Sequence, residues 1–281
     1  MKPNPKFTGR DSRFWSVVQM VSEAVGYSVR VKNGAPKAMR SYSAGDVLLA
    51  HEKLGVPINF CFAASKKPRK ITIDILEYLN DRSHTIQNYV EKQLMNRKQA
   101  KQSFEELQSK FKHSRVKIQM NKQKGDKKHP SYLVGMVNLI AENVLGYGNF
   151  DDNPMSMGLV IDENGPIKTL CRRMDGAYPS TFKPKILWEV KEYYGTTTFG
   201  SRIADGVYET MLVGEELKEL SIEHGIKIHH VLFVDDYFTW WQLGRSYLCR
   251  LIDMLHIGYV DEIFFGKEVL TEWPKFLRKI K

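Results

Sequence analysis

Apolar positions along the chain follow two regimes. Up to about residue 111 they recur at helical spacing; beyond residue 131 short apolar runs alternate with helical stretches. Phe14, Trp15, Val17, Val18, Val21 and Val25 form one helical stripe that Gly26 ends. Residues 41–55 read as a second helix, with Ser43 as its cap, Asp46 in the first turn and Gly55 as terminator. The basic loop Arg30-Val31-Lys32-Asn33-Gly34 precedes it. This unit is therefore either a helix-turn-helix or winged-helix module or part of a plain helical bundle. Ile71 to Phe111 reads as one or two longer helices, with a break expected around Asn80-Asp81-Arg82-Ser83.

Residues 110–129 are polar and rich in lysine, Gly125-Asp126 marks a turn, and Pro130 limits helix continuation. The domain boundary is placed here, giving a basic, mainly helical domain over 1–125 and a second domain over 126–281. The second domain opens with a helix at 131–146. Strands follow at 157–162 and 167–175, joined by the turn Glu163-Asn164-Gly165-Pro166, and a third at 185–194. A helix at 201–225 leads to an apolar strand at 228–236, a helix at 244–258 and a strand at 259–266. The order is α-β-β-β-α-β-α-β, an α/β fold.

With 281 residues and 42% hydrophobic content the chain can bury a sizeable core. Its cysteines, Cys61, Cys171 and Cys249, are far apart and form no CxxC pair, so neither a disulfide framework nor a cysteine-based zinc site is expected. The first residues lack the apolar core of a signal peptide, and no run approaches the ~18 apolar residues of a membrane span. The expectation is a soluble cytoplasmic protein with no membrane partner. Net charge is +10, with residues 1–130 carrying an excess of fifteen positive charges and the remainder an excess of five negative ones. A basic half joined to an acidic half suggests one part that grips a polyanion and another that carries carboxylate chemistry.

The candidate chemistry lies in Asp175 and, fourteen residues on, Glu189-Val190-Lys191. Strand alternation points Leu187, Glu189 and Lys191 one way and Ile186, Trp188 and Val190 the other. Antiparallel pairing across 176–184 would bring Asp175 close to Glu189. Two carboxylates there suit Mg²⁺, which takes one or two carboxylates, several waters and phosphate oxygens. The metal would polarise a phosphodiester and acidify a bound water, while Lys191 orients that water or neutralises charge on the phosphate.

This element order, with an Asp near the end of the second strand and Glu-x-Lys on the third, resembles the PD-(D/E)xK nuclease superfamily, which includes many type II restriction endonucleases. The resemblance covers roughly 131–266. It implies a restriction-endonuclease-like α-β-β-β-α-β core beside the mainly helical N-terminal domain. It makes Asp175 and Glu189 metal-binding acids, Lys191 the catalytic lysine, and Glu142, on the preceding helix, an additional acid. Met174 stands where the motif has its proline. The implied activity is site-specific, Mg²⁺-dependent cleavage of double-stranded DNA, with Mn²⁺ able to substitute and a homodimer placing one site on each strand. The alternatives are a less specific repair or phage-defence nuclease of the same superfamily, and a non-catalytic DNA-binding protein whose charges form a surface ion-pair network.

Further DNA contacts are expected from Arg30, Lys32 and Arg40, and from Thr197, Ser201 and Arg202 in the loop that opens the next helix. At least one of His229 and His230 reads as structural. Asp235-Asp236 reads as a cap or turn, with a second metal site as the weaker alternative. Tyr193, Tyr194, Trp240 and Trp241 read as core or dimer packing ahead of base stacking.

Overall fold

The computed structural model describes residues 1–29, 38–121, 125, 128–195 and 200–281, the side chain of Arg202 excepted. The N-terminal part is helical. In α1 (Ser12–Val25) the Asp11 carboxylate caps the Phe14 amide, and α2 (Ala44–Leu54) opens with a reciprocal capping box between Ser43 and Asp46. The break expected near residues 80–83 does not occur. α3 (Lys70–Thr85) continues through a π turn (Ile86–Val90) into the short α4 (Glu91–Gln93). Two of the polar residues that suggested a loop, Arg82 and Ser83, are buried instead, and Asn80 Oδ1 accepts from the Tyr42 amide. The chain breaks later, where Asn96 and Gln99 cap α5 (Arg97–Lys110).

α5 was expected in the N-terminal domain, but Ala100 and Phe104 pack into the same core as Leu133 and Met136 of α6 (Tyr132–Leu145). The second core is a mixed α/β arrangement. β1 (Leu159–Ile161) and β2 (Pro166–Thr169) pair as a separate antiparallel hairpin. β3 (Gly176–Tyr178), β4 (Ile186–Glu192), β5 (His229–Asp235) and β6 (Glu262–Phe265) form a four-stranded sheet in that spatial order. β3 runs antiparallel to β4, and the other neighbours are parallel. The helices between the parallel strands are α7 (Ser201–His224) and α8 (Arg245–Ile257), the latter preceded by a second π turn (Phe238–Leu243).

The strand expected over 167–175 ends at Thr169, and β3 begins only beyond that range, at Gly176. Continuous alternation would place Arg172 on the same face as Leu170 and Met174, both of which are buried under the hairpin. The chain breaks at 170–175 so that Leu170 and Met174 enter the core while Arg172 turns to a buried carboxylate. β3 then starts at Gly176, where a Cβ would stand 1.9 Å from the Trp188 indole, so only glycine lets β3 close onto β4.

One face of the sheet, with Ile186, Trp188, Val231, Phe233 and Phe264, packs on α5, α6 and α9 (Glu268–Ile280). α9 was not expected. Val269, Trp273 and Leu277 recur at four-residue spacing and are all buried, but Pro274 within the helix masks the pattern. The other face, with Leu232, Val234, Ile263 and Phe265, packs on α7 and α8.

The N-terminal helices are fastened to this core by a buried ion pair. Arg82 Nη1 lies 2.9 and 2.8 Å from the two Asp253 oxygens of α8, and its Nη2 donates to Ser22 Oγ of α1 at 2.9 Å. Tyr78 donates to the same Asp253 at 2.5 Å. Removing one member of such a pair strands the other charge in a dry interior. Arg82→Ala is expected to lower the unfolding free energy by about 3–5 kcal/mol, whereas a joint Arg82→Met and Asp253→Leu replacement loses much less. Denaturant unfolding of the three proteins checks this; equal losses from both changes would show that packing, not charge, holds the seam.

Candidate functional site

The middle of the site is β4, which carries Glu189 and Lys191 toward α7. Glu189 is 0% exposed and Lys191 only 7%. A charge buried to that extent requires local partners, and three elements supply them. Lys191 Nζ lies 2.6 Å from Glu189 Oε2, Arg172 Nη1 of the β2–β3 connection lies 2.5 Å from Oε1, and Thr210 of α7 donates its hydroxyl to Oε2 at 3.0 Å. Glu209, also on α7, ties both cations from outside, 3.1 Å from Arg172 and 3.6 Å from Lys191. α7 approaches this closely because residue 206 is glycine: a Cβ there would stand 2.9 Å from the Tyr193 hydroxyl and 3.5 Å from Lys191 Nζ.

Asp175 immediately precedes β3, and the register that pairs Gly176 with Trp188 sets Asp175 opposite Glu189. Its amide donates to the Trp188 carbonyl at 3.0 Å, and its Oδ2 accepts from the Val190 amide at 2.7 Å. The structure thus brings Asp175, Glu189 and Lys191 together at one end of the sheet. Arg172 and Glu209 join them; neither was singled out from the sequence, although Arg172 stands only three residues before Asp175. Glu189 and Lys191 are enclosed, while Asp175 is exposed and Arg172 and Glu209 are partly so.

The electrostatics follow from that enclosure. Burial alone would raise the Glu189 carboxyl, but Lys191, His230 and Arg172 overcome it and hold the group at about 2. Burial would likewise strip the proton from Lys191, and the adjacent Glu189 outweighs this and raises its affinity. Asp175 presents part of its surface to solvent while protein crowds its carboxyl. That loss of hydration, with the Glu189 charge adding to it, raises Asp175 against the opposing Val190 amide.

Glu142 is elsewhere. Ser114 donates its hydroxyl to it, and the Arg115 amide donates to Oε1 at 3.0 Å. The α6 residue that lines the cavity at Asp175 is Val134, eight positions earlier and so about 12 Å away along the helix. Arg40 forms an ion pair with Asp46. Ser201 begins α7 and is exposed; Arg30, Lys32 and Thr197, and the Arg202 side chain, lie outside what the structure describes. His230 is buried beside Glu189 with Nδ1 2.8 Å from the Tyr259 carbonyl. Trp240 and Trp241 are core residues.

Among the described residues no group of three or more His, Cys, Asp or Glu side chains is gathered to hold a metal ion. Asp175 and Glu189 are the oxygen donors a hard divalent cation would meet, and two carboxylates suffice for Mg²⁺ when water and phosphate complete its shell. Arg172 faces Glu189 on that side. Its side chain is 27% exposed, so it has solvent to turn into.

Residues 95–280 match a family model described as Domain of unknown function (DUF7687). The chain belongs to this family. Residues 1–89 match a second model, Domain of unknown function (DUF7690). The DUF7687 segment begins just before α5, as the packing of α5 on α6 does, and contains every member of the cluster around Glu189. No curated protein and no solved structure matches the chain. No helix among the described residues is long and apolar enough to cross a membrane.

A second pair of acids closes the same end of the sheet. Glu192 and Asp235 are register partners on β4 and β5. Glu192 Oε2 accepts from the Leu133 and Val134 amides at 2.7 and 3.1 Å, capping α6. Asp235 accepts from the Met95 amide at 2.7 Å and from the Tyr194 hydroxyl, and Asp236 caps the following turn through the Thr239 amide at 2.9 Å. Burial, with Asp235 adding to it, pushes Glu192 up to about 8, and burial pushes Asp235 up to about 7. These folded-state affinities exceed those of the unfolded chain, so the fold holds protons that the unfolded chain releases. The resulting stability is full below about pH 4 and drains away as pH rises toward 8. Glu192→Gln keeps an oxygen for the α6 amides and abolishes the titration. It should melt above the parent at pH 9, with the advantage shrinking toward pH 5. Thermal melts across that range check this; a pH-independent difference would show that Glu192 is ionised in the fold.

Proposed function

We propose that the protein is a Mg²⁺-dependent nuclease that hydrolyses phosphodiester bonds of double-stranded DNA at the Asp175, Glu189 and Lys191 cluster. The observation that carries this reading is the Glu189–Lys191 pair itself. It lies side by side and buried on the central strand, with Asp175 held opposite by the β3–β4 register. A buried ion pair adds little to stability, and this one adjoins residues that border a cavity, Asp175 and Arg172, which supports a chemical role.

The finer form of the fold is part of the same proposal. α6, β1, β2, β3, β4, α7 and β5 run α-β-β-β-β-α-β, one strand more than the α-β-β-β-α-β core, and on this reading the acid before β3 and Glu-x-Lys on β4 take the PD-(D/E)xK positions. On this reading Asp175 and Glu189 hold the cation, which when bound polarises the phosphate and adds positive charge at the reacting oxygen. Lys191 keeps its proton because Glu189 is beside it, and it presents an ammonium to the attacking water or to a phosphate oxygen. Arg172 turns from Glu189 to the phosphate as substrate and cation enter, so the carboxylate is not left unpaired at any stage. The basic N-terminal half supplies sequence-independent attraction to the backbone, and a type II restriction homodimer is the specific form that would cut both strands.

Plasmid and oligonucleotide substrates, with modified bases included, are expected to be cut in Mg²⁺ or Mn²⁺ and not in EDTA. Asp175→Asn should slow cleavage by at least about 100-fold while leaving the folded state intact by circular dichroism. Lys191→Ala should slow it as much but also lower the melting temperature, because it takes a partner from the buried Glu189. Discrete fragments would assign site-specific restriction, and a smear a general nuclease. Complete absence of metal-dependent cleavage across this panel would sink the proposal.

A further inference from the structure

The cluster opens onto a groove whose lining is unusual for a cleft that contacts only a phosphate backbone. Asp175, Arg172 and Arg173 border a cavity of about 420 Å³. The same two arginines border a larger cavity of about 810 Å³ that runs out between the β1–β2 hairpin and the segment 155–157. Its far rim is apolar and exposed: Phe182 is 51% exposed, Met155 75% and Met157 47%. Such side chains, clustered on one cavity, mark a binding surface rather than random exposure.

Phe182 is held in place by its backbone. The Leu159 amide donates to the Thr181 carbonyl at 2.8 Å, and the Lys183 amide donates to the Leu159 carbonyl at 2.9 Å, so residues 181–183 lie along β1. Ser156 and Thr181 join their hydroxyls at 2.9 Å across the groove. Lys183 adopts φ 52° and places its ammonium 5.9 Å from the Phe182 ring centre. The result is one flat ring and two flexible thioethers facing a cavity entered past two guanidinium groups. A nucleotide matches that order of chemistry: an anionic phosphate for Arg172 and Arg173, followed by an apolar, stackable base for Phe182, Met155 and Met157. A base paired and stacked within a duplex shows only its edge, so stacking on a protein ring requires that it be unstacked or extruded.

We infer that this groove binds an unpaired base next to the scissile phosphate, so that the preferred substrate is duplex DNA carrying an extruded or unpaired nucleotide beside the cut. The inference rests on the nuclease reading of the adjoining cluster but concerns binding, which can be measured without cleavage.

The test uses full-length protein in EDTA and fluorescence anisotropy on two labelled duplexes, one fully paired and one with a single unpaired 2-aminopurine next to the same flanking sequence. The parent protein should bind the unpaired duplex about tenfold more tightly, with 2-aminopurine emission quenched by stacking. Phe182→Ala should abolish both the preference and the quenching while leaving affinity for the paired duplex unchanged. Because Phe182 is exposed, its replacement should not alter the melting temperature. Equal affinity for the two duplexes, or a preference that survives Phe182→Ala, would overturn the inference and leave the nuclease reading standing if Mg²⁺-dependent cleavage persists. Absence of binding to either duplex would overturn both. If Phe182→Ala instead converts a dimer to a monomer in sedimentation, the rim is a contact between copies of the chain and the inference fails.

Discussion

A carboxylate with no exposure to water lies at the middle of this protein, and much of the DUF7687 segment is arranged to tolerate it. Glu189 occupies the central region of β4, flanked along the strand by Trp188 and Val190. An uncompensated charge there would be prohibitively costly. Lys191 comes from the same strand, Arg172 from a connection that abandons strand geometry to reach it, and Thr210 from α7. Glu209 then balances the two cations from outside. Removing any one of these would disturb the others, because each is partly buried and satisfied by its neighbours.

A second enclosed charge joins the two family segments. Arg82 belongs to residues 1–89 and Asp253 to residues 95–280. Their pairing, with Tyr78 and Ser22 completing the network, needs a fixed orientation of α1 and α3 against α8. A hydrophobic seam of the same size would tolerate sliding; directional bonds to a buried guanidinium do not. The N-terminal helices are thereby held at one position relative to the sheet.

Glu189 and Glu192, three residues apart on β4, show how environment separates identical groups. Glu189 has cations within hydrogen-bond reach and stays ionised down to about pH 2, whereas Glu192, three residues on and facing backbone amides and another acid, retains its proton up to about 8. One carboxylate is thus kept charged, and the other serves as a neutral fastening for the start of α6.

Local pattern determined a good deal by itself. Period-two alternation put Glu189 and Lys191 on one face, turn chemistry located the β1–β2 hairpin, and helical spacing with capping residues located α1, α2, α6, α7 and α8. These features depend on interactions within a few residues, so the sequence displays them directly. Tertiary packing decided the rest. Asn80 and Arg82 look like loop residues and lie inside a helix, because their partners, Tyr42 and Asp253, are 38 and 171 positions away. Arg172 looks like one more residue of a strand and becomes a partner of Glu189, because Leu170 and Met174 claim the buried face. Glu142 lies on the helix expected of it but faces Ser114 and Arg115, since the approach of α6 to the sheet end is set by Glu192 capping its first turn. Each of these outcomes turns on which distant group neutralises a buried polar atom, and that is fixed only when the layers close.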